Sequence, residues 1–393
     1  MKTGLVLEGG ALRTIFSSGV CDAFLNEKLP MPDYTIGVSA GIAYGVSYLS
    51  RQKRRNLQLL MHYANDRRYM GWGNFFDPRN RSYFGLKFAY DTIPNELVPF
   101  DYDTFEAYPG QVEAVVTNLQ TGRAEYREVP RRDASFLLLQ ATCAMPVLFQ
   151  PIRLDDGAPY LDGGCSDAIP WKRALAVGCD RVVVVLTRER SYRKEPEQLM
   201  PLFRRVYRKY PVFLEGLRTR AERYNQCREE LFALEQEGRV LVIAPANTRG
   251  FSRTERDRQK ILALWQDGFF AGRRAAEAVR DFWTRETPLG HRNSSRPPPI
   301  FQWAAVSSWR KWFCTRNPYC FLCFTIFLRK FYKILEILFP ACRFAYIMLE
   351  RSIHDRIGPA VPDGLEYWER KAQLWTFSPS LPSAAAWRSS CTA

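Results

Sequence analysis

Hydrophobic and polar positions follow two rhythms along the first half of this chain. Short aliphatic and β-branched runs at 5–7, 34–36, 112–117 and 181–186 alternate with longer stretches of helical spacing. The last run holds Val182, Val183, Val184 and Val185 with no polar position among them, and reads as a strand buried on both faces. Between the strands, 12–26 and 40–50 have helical length. A third helix, 134–141, follows Asp133, a natural N-cap, and a fourth, 171–177, stops at Gly178, a natural C-cap. This alternation predicts an α/β fold over residues 1–190, a three-layer sandwich around a mainly parallel central sheet.

The pattern then changes twice. Residues 195–236 are charged and helical in character, with breaks expected at Pro201 and Pro211; 240–243 offers one more strand, and 254–283 a closing amphipathic helix. Residues 191–285 are therefore expected to form a mainly helical C-terminal extension packed on the core. The proline-rich stretch 293–299 cannot continue a helix, so 286–393 is read as a separate basic, aromatic-rich tail. Its apolar run at 319–328 is too short to span a bilayer before Arg329 and Lys330. Residues 321–349 have the composition of a helix lying in a membrane interface; a poorly ordered tail is the alternative.

Charge and cysteine usage narrow the classes. The formal net charge is +15, and the basic clusters at 51–55, 67–68 and 204–209 lack the glycine and aromatic interleaving of single-strand binders. No nucleic acid partner is expected; the charge suits a solvated face or peripheral contact with an anionic membrane. Met1, Lys2 and Thr3 lead straight into the first strand with no secretory leader, which points to a cytoplasmic location. Cys21, Cys143, Cys165, Cys179 and Cys227 are scattered in apolar contexts and read as reduced core thiols. Cys320 and Cys323 form a C-x-x-C without a second pair, so no metal and no organic cofactor are expected.

Candidate chemistry begins at Gly37-Val38-Ser39-Ala40-Gly41. A G-x-S-x-G between an apolar strand and a small-residue helix fits a nucleophile elbow, with Gly37 and Gly41 where side chains would not fit. The serine needs a base, yet His62, His291 and His354 all lie outside the positions where a hydrolase triad uses histidine. Asp162, at a strand end before Gly163 and Gly164, is the better candidate, because an aspartate within hydrogen-bond reach takes the proton directly. Near the N-terminus, Glu8-Gly9-Gly10-Ala11-Leu12-Arg13 runs from strand through glycines into a helix. It lacks the lysine and hydroxyl pair of a nucleotide P-loop, and an oxyanion hole is the better fit.

These three segments, in this order, resemble the patatin-like phospholipase family, closest to a bacterial subgroup that begins L-E-G-G-G-x-R-G. The resemblance runs from Thr3 to about Thr187, and residues 80–83, 93–101, 186–188 and 192–194 are also similar. It implies a serine acyl-ester hydrolase of phospholipase A type acting on a lipid substrate. Ser39 is then the nucleophile and Asp162 the general base of a Ser-Asp dyad. Gly9, Gly10, Ala11 and Arg13 form the oxyanion loop, and Met145-Pro146 is an apolar loop beside the site, lining an acyl pocket with Val147, Leu148 and Phe149 or packing in the core. Ala11 and Thr14 depart from the family's glycines; an alanine held at positive φ would strain the loop. A weakly active lipid-binding protein and an acyltransferase are the alternatives. Arg13 contacts a phosphate or the oxyanion, or pairs with Glu8 or another nearby carboxylate.

Overall fold

Strand β1 (Thr3–Leu7) pairs in parallel with β2 (Tyr34–Val38) on one side and β7 (Arg181–Val185) on the other. The computed structural model describes residues 1–284. The remaining strands are β3 (Gln111–Asn118), β4 (Ala124–Glu128), β5 (Ile152–Arg153), β6 (Pro159–Asp162) and β8 (Val240–Ile243). They complete an eight-stranded sheet of order β5-β6-β3-β2-β1-β7-β8, with β4 on β3. The pairs from β3 to β8 along this path are parallel, while β4, β5 and β6 add antiparallel pairs at one side.

Residue alternation along the strands separates two apolar layers. Leu5, Leu7, Val183 and Val185 enter one core with helices α1 (Ile15–Asn26) and α2 (Ala40–Leu49). Val6, Val182 and Val184 enter the other, with Trp171, Ala174 and Leu231. A buried parallel sheet needs both faces covered, which is why its strands read as unbroken apolar runs. The mostly parallel sheet between helical layers is the α/β sandwich expected from the pattern.

In chain order the other α-helices before the C-terminal region are α3 (Arg55–Tyr63), α4 (Trp72–Phe76), α5 (Tyr102–Glu106), α6 (Leu137–Thr142) and α7 (Trp171–Ala176), with a π-helix at Phe88–Leu97. The helical C-terminal region holds α8 (Met200–Val206), α9 (Pro211–Arg218), α10 (Arg220–Gln236) and α11 (Arg258–Thr284). Pro201 and Pro211 open α8 and α9 rather than break a long helix, since a first-turn proline lacks only an N–H that the helix does not use. The helix expected from 134 starts at Leu137, because the Asp133 carboxylate accepts the N–H groups of both Ser135 and Leu137 and holds a turn there.

Two elements of this region are built into the core. β8 extends the sheet from β7, and α11 lies against α1 at glycine-mediated contacts. A Cβ on Gly268 would stand 2.0 Å from the Phe16 carbonyl oxygen, and one on Gly19 2.1 Å from that of Trp265. The Trp265 indole N–H donates to Asp22 at 2.8 Å, closing the same interface with a buried hydrogen bond. The tail proposed for 286–393, with its interfacial segment and its C-x-x-C, lies outside the described residues. Among the described residues no helix is long and apolar enough to cross a membrane.

Candidate active site

One strand measures out the site. β2 ends with Val38 opposite Val115 of β3, and β6 ends with Asp162 opposite Val116. β4 occupies the far side of β3, so β2 and β6 meet end to end on the same side, and Ser39 and Asp162 follow from adjacent rungs. Thr142 ties the junction together. Its hydroxyl donates to the Val115 carbonyl at 2.6 Å and accepts the Ser39 N–H at 2.8 Å.

Ser39 adopts φ 54° and ψ −136°, a strained turn between β2 and α2 that holds its side chain at the helix start. The flanking glycines are required by close approach. A Cβ on Gly37 would stand 2.8 Å from the Ile42 nitrogen, and one on Gly41 2.5 Å from the Leu7 oxygen. Gly163 passes directly beside the Val115 carbonyl, and Gly164 gives its N–H to Asp162 Oδ1 at 2.8 Å.

Ser39 and Asp162 are both buried, at 6% and 7% exposure. Burial pushes the Asp162 carboxyl above the usual carboxylate range; hydrogen bonds from Ser39 and the Gly164 N–H, with Arg220 and Arg253 nearby, oppose that rise. The Ser39 side chain also neighbours the half-buried Cys143 thiol, which desolvation drives up to about 12.

The Glu8–Arg13 loop lies across this junction. Gly9 passes so close to Val38 and Ser39 that a Cβ there would sit 2.8 Å from the Val38 oxygen, and Gly10 is equally tight against Thr187. Among the described residues no acceptor meets the N–H groups of Gly10 and Ala11. Gly10 is extended, whereas Ala11 has φ 50° in the left-handed region. Arg13 is buried, and among the described residues it forms no ion pair with Glu8 or any other carboxylate. Glu8 instead accepts from the Thr187 N–H and hydroxyl and from Tyr224 of α10, at 2.6, 3.1 and 2.5 Å.

Two cavities meet at Ser39, Ala11 and Met145. One, of ≈ 100 Å³, is mostly apolar, with Tyr44, Leu59, Tyr90, Ile93, Phe136 and Phe149 among its walls. The other, of ≈ 250 Å³, is lined by Asp162, Gly164, Pro146, Val147 and Leu148 and by several basic side chains. The Met145–Phe149 loop thus borders both, with Val147 at φ 69° donating its N–H to the Tyr207 hydroxyl.

His62 is exposed and remote from these walls, while His291 and His354 lie outside the described residues. No group of three or more His, Cys, Asp or Glu suited to a metal occurs among the described residues, and the five cysteines there are free thiols. Sequence reasoning missed Thr142, Tyr224 and Arg220. The first lies one residue past the helix read at 134–141, and the other two come from the C-terminal helical region.

Comparison with known proteins supplies the class of this arrangement. Residues 5–175 match the family model described as patatin-like phospholipase. Residues 5–175 are thus similar to the patatin-like phospholipases. That is a lipid-hydrolase family, and the match covers the strands and turns that carry Ser39 and Asp162, while Arg220 and Arg253 near Asp162 lie beyond it. The patatin-like domain is followed at 210–284 by a match to a domain of unknown function.

A curated relative, the uncharacterized protein YjjU of Escherichia coli (strain K12), is 28% identical over 201 residues, covering 47% of this chain and 52% of that protein. The chain thus spans about half the length of the curated relative it matches. Among solved structures, VipD from Legionella pneumophila aligns with a TM-score of 0.35 at 16% identity, over 70% of this chain and 67% of that one.

Proposed function

We propose that this protein is a serine acyl-ester hydrolase that cleaves a lipid ester with Ser39 and Asp162. Asp162 takes the proton of the Ser39 hydroxyl as its oxygen attacks the ester carbonyl. The N–H groups of Gly10 and Ala11 receive the oxyanion; one such donor typically lowers the barrier by about 2.7 to 4 kcal/mol. Collapse releases the alcohol, with its proton returned from Asp162, and leaves the acyl group on Ser39. Water, deprotonated by Asp162, then attacks the acyl-enzyme; collapse frees the fatty acid as Asp162 returns that proton to the Ser39 oxygen.

The observation that carries this reading is the meeting of a buried serine and a buried carboxyl on adjacent rungs of β3, beneath free backbone N–H groups. The apolar cavity opening at Ser39 supports an acyl chain as the group transferred. Labelling of the full chain with a fluorophosphonate tests it. The expected result is covalent modification of Ser39, lost in both Ser39→Ala and Asp162→Asn. A folded wild-type protein that stays unlabelled would remove the dyad mechanism.

A second reading, a lipid-binding protein with little turnover, draws on the left-handed backbone of Ala11, which tilts one oxyanion donor. It predicts lipid binding without labelling. Transfer of the acyl group to an added alcohol, in place of water, would mark an acyltransferase.

A further inference from the structure

The polar cavity beside Ser39 carries more positive charge than its walls neutralise. Arg13, Arg188, Lys194, Arg220 and Arg253 line it, against the carboxyls of Glu8, Glu197 and Asp162. Those carboxyls are largely committed elsewhere. Glu8 is held by Thr187 and Tyr224, Asp162 belongs with Ser39, and Glu197 approaches Arg220 only at 3.8 Å.

The cations differ in how far they are partnered: Arg220 gives its Nε–H to the Gly164 carbonyl at 2.7 Å, whereas Arg13 and Arg188 keep donors without acceptors among the described residues. Arg13 is 6% exposed, yet its guanidinium makes no hydrogen bond among the described residues, and its Nε is buried without an acceptor. Burial, with Arg188 and Arg253 nearby, lowers Arg13 to about 10. Arg188 has the same orphaned Nε, although its Nη1 reaches Thr248 at 2.8 Å. Burial beside Arg220 and Arg253 lowers Lys194 to about 7. A desolvated guanidinium without an acceptor is costly, and an anion with several oxygens would relieve several of these groups at once.

We propose that this cavity is the subsite for a phosphomonoester head, so that the substrate is an acyl ester of a phosphorylated alcohol with a free phosphate end. The inference rests on the hydrolase reading above and specifies its substrate. Ser39, Ala11 and Met145 are common to both cavities, so an ester at Ser39 extends its acyl chain into the apolar one and its alcohol toward the cations.

A choline head is disfavoured by the same walls. A quaternary ammonium needs an open aromatic face, and of the three aromatic side chains here Phe203 is buried beside Tyr207 and the two tyrosines are already occupied. Arg188 lies 4.6 Å over the Tyr192 ring, and Lys194 and Arg228 each lie 5.7 Å from that of Tyr224. Its positive charge would also meet four arginines of like sign.

The test uses the full chain. In wild type, kcat/KM for the decanoyl ester of glycerol phosphate is expected to exceed that for the decanoyl ester of glycerophosphocholine by about tenfold or more, as charge-assisted hydrogen bonds to one phosphate permit. Arg220→Gln and Lys194→Gln are each expected to shrink that ratio. In calorimetry on Ser39→Ala, the decanoyl ester of glycerol phosphate should bind more tightly than decanoyl glycerol, free glycerol phosphate or inorganic phosphate.

Equal kcat/KM for the two heads, or a ratio unmoved in both variants, overturns the subsite. Free phosphate binding as tightly as the lipid overturns it as a headgroup site. Fluorophosphonate labelling without head preference removes the subsite alone. Selective binding of the phosphorylated lipid without labelling supports the subsite and removes the hydrolase reading.

Discussion

Ala11 bears the cost of its position in the backbone itself. An L-residue with φ near 50° pays roughly 1 to 2 kcal/mol that glycine avoids, partly offset by the greater freedom of glycine in the unfolded chain. Ala11→Gly is therefore expected to raise stability by about 1 kcal/mol, read as a higher Tm, and to raise kcat if the relaxed N–H improves its aim. Asp162 carries the second prediction. As a base it acts ionised, so the rate rises with pH through its pKa; because burial raises that pKa, the acid limb should lie above the range of an exposed aspartate. A folded pKa above the unfolded one also means that stability is greatest below the unfolded value and is lost as pH rises through the folded value. Asp162→Asn should accordingly abolish turnover while holding or raising the Tm at neutral pH, and the two assays together separate a chemical loss from misfolding. Ser39, Asp162 and the glycines were legible because their constraints are local: a turn, a strand end, a helix start. Thr142 was not, because its part is set by the Val115 carbonyl it meets only after β3 has paired.

At the level of elements, the strands of the parallel sheet were readable from their unbroken apolar runs, whereas β4 and β5 were not. β4 is half-exposed and mixed in character, and β5 has only two residues. The interface of α1 with α11 was equally hidden, since glycines spaced along a charged helix announce a close crossing only when the partner is known. Replacing one tests the crossing. Gly268→Ala would drive a methyl into the Phe16 carbonyl, and overpacking of this kind costs about 1 to 3 kcal/mol. Chemical denaturation should show that loss with an unchanged m-value, whereas Gly73→Ala, where a Cβ meets nothing within 4 Å, should leave the midpoint near its wild-type value.

Across the whole molecule, the patatin-like match ends at residue 175, but β8 and α11 lie beyond it and complete the sheet and one of its layers. A chain ended before Arg258 would leave Phe16, Val20 and Phe24 of α1 without Trp265, Val279 and Trp283 against them. Such a chain is expected to bind a hydrophobic dye and aggregate, and a soluble monomer with a cooperative melt would contradict the packing described above. The same arrangement bears on synthesis. The ribosome releases α1 near the start of synthesis and α11 last among the described elements, and at ordinary elongation rates the interval is on the order of ten seconds or more. Throughout that time one side of α1 has no native cover, so the nascent protein must be shielded, by a chaperone or by its own transient collapse, until α11 emerges.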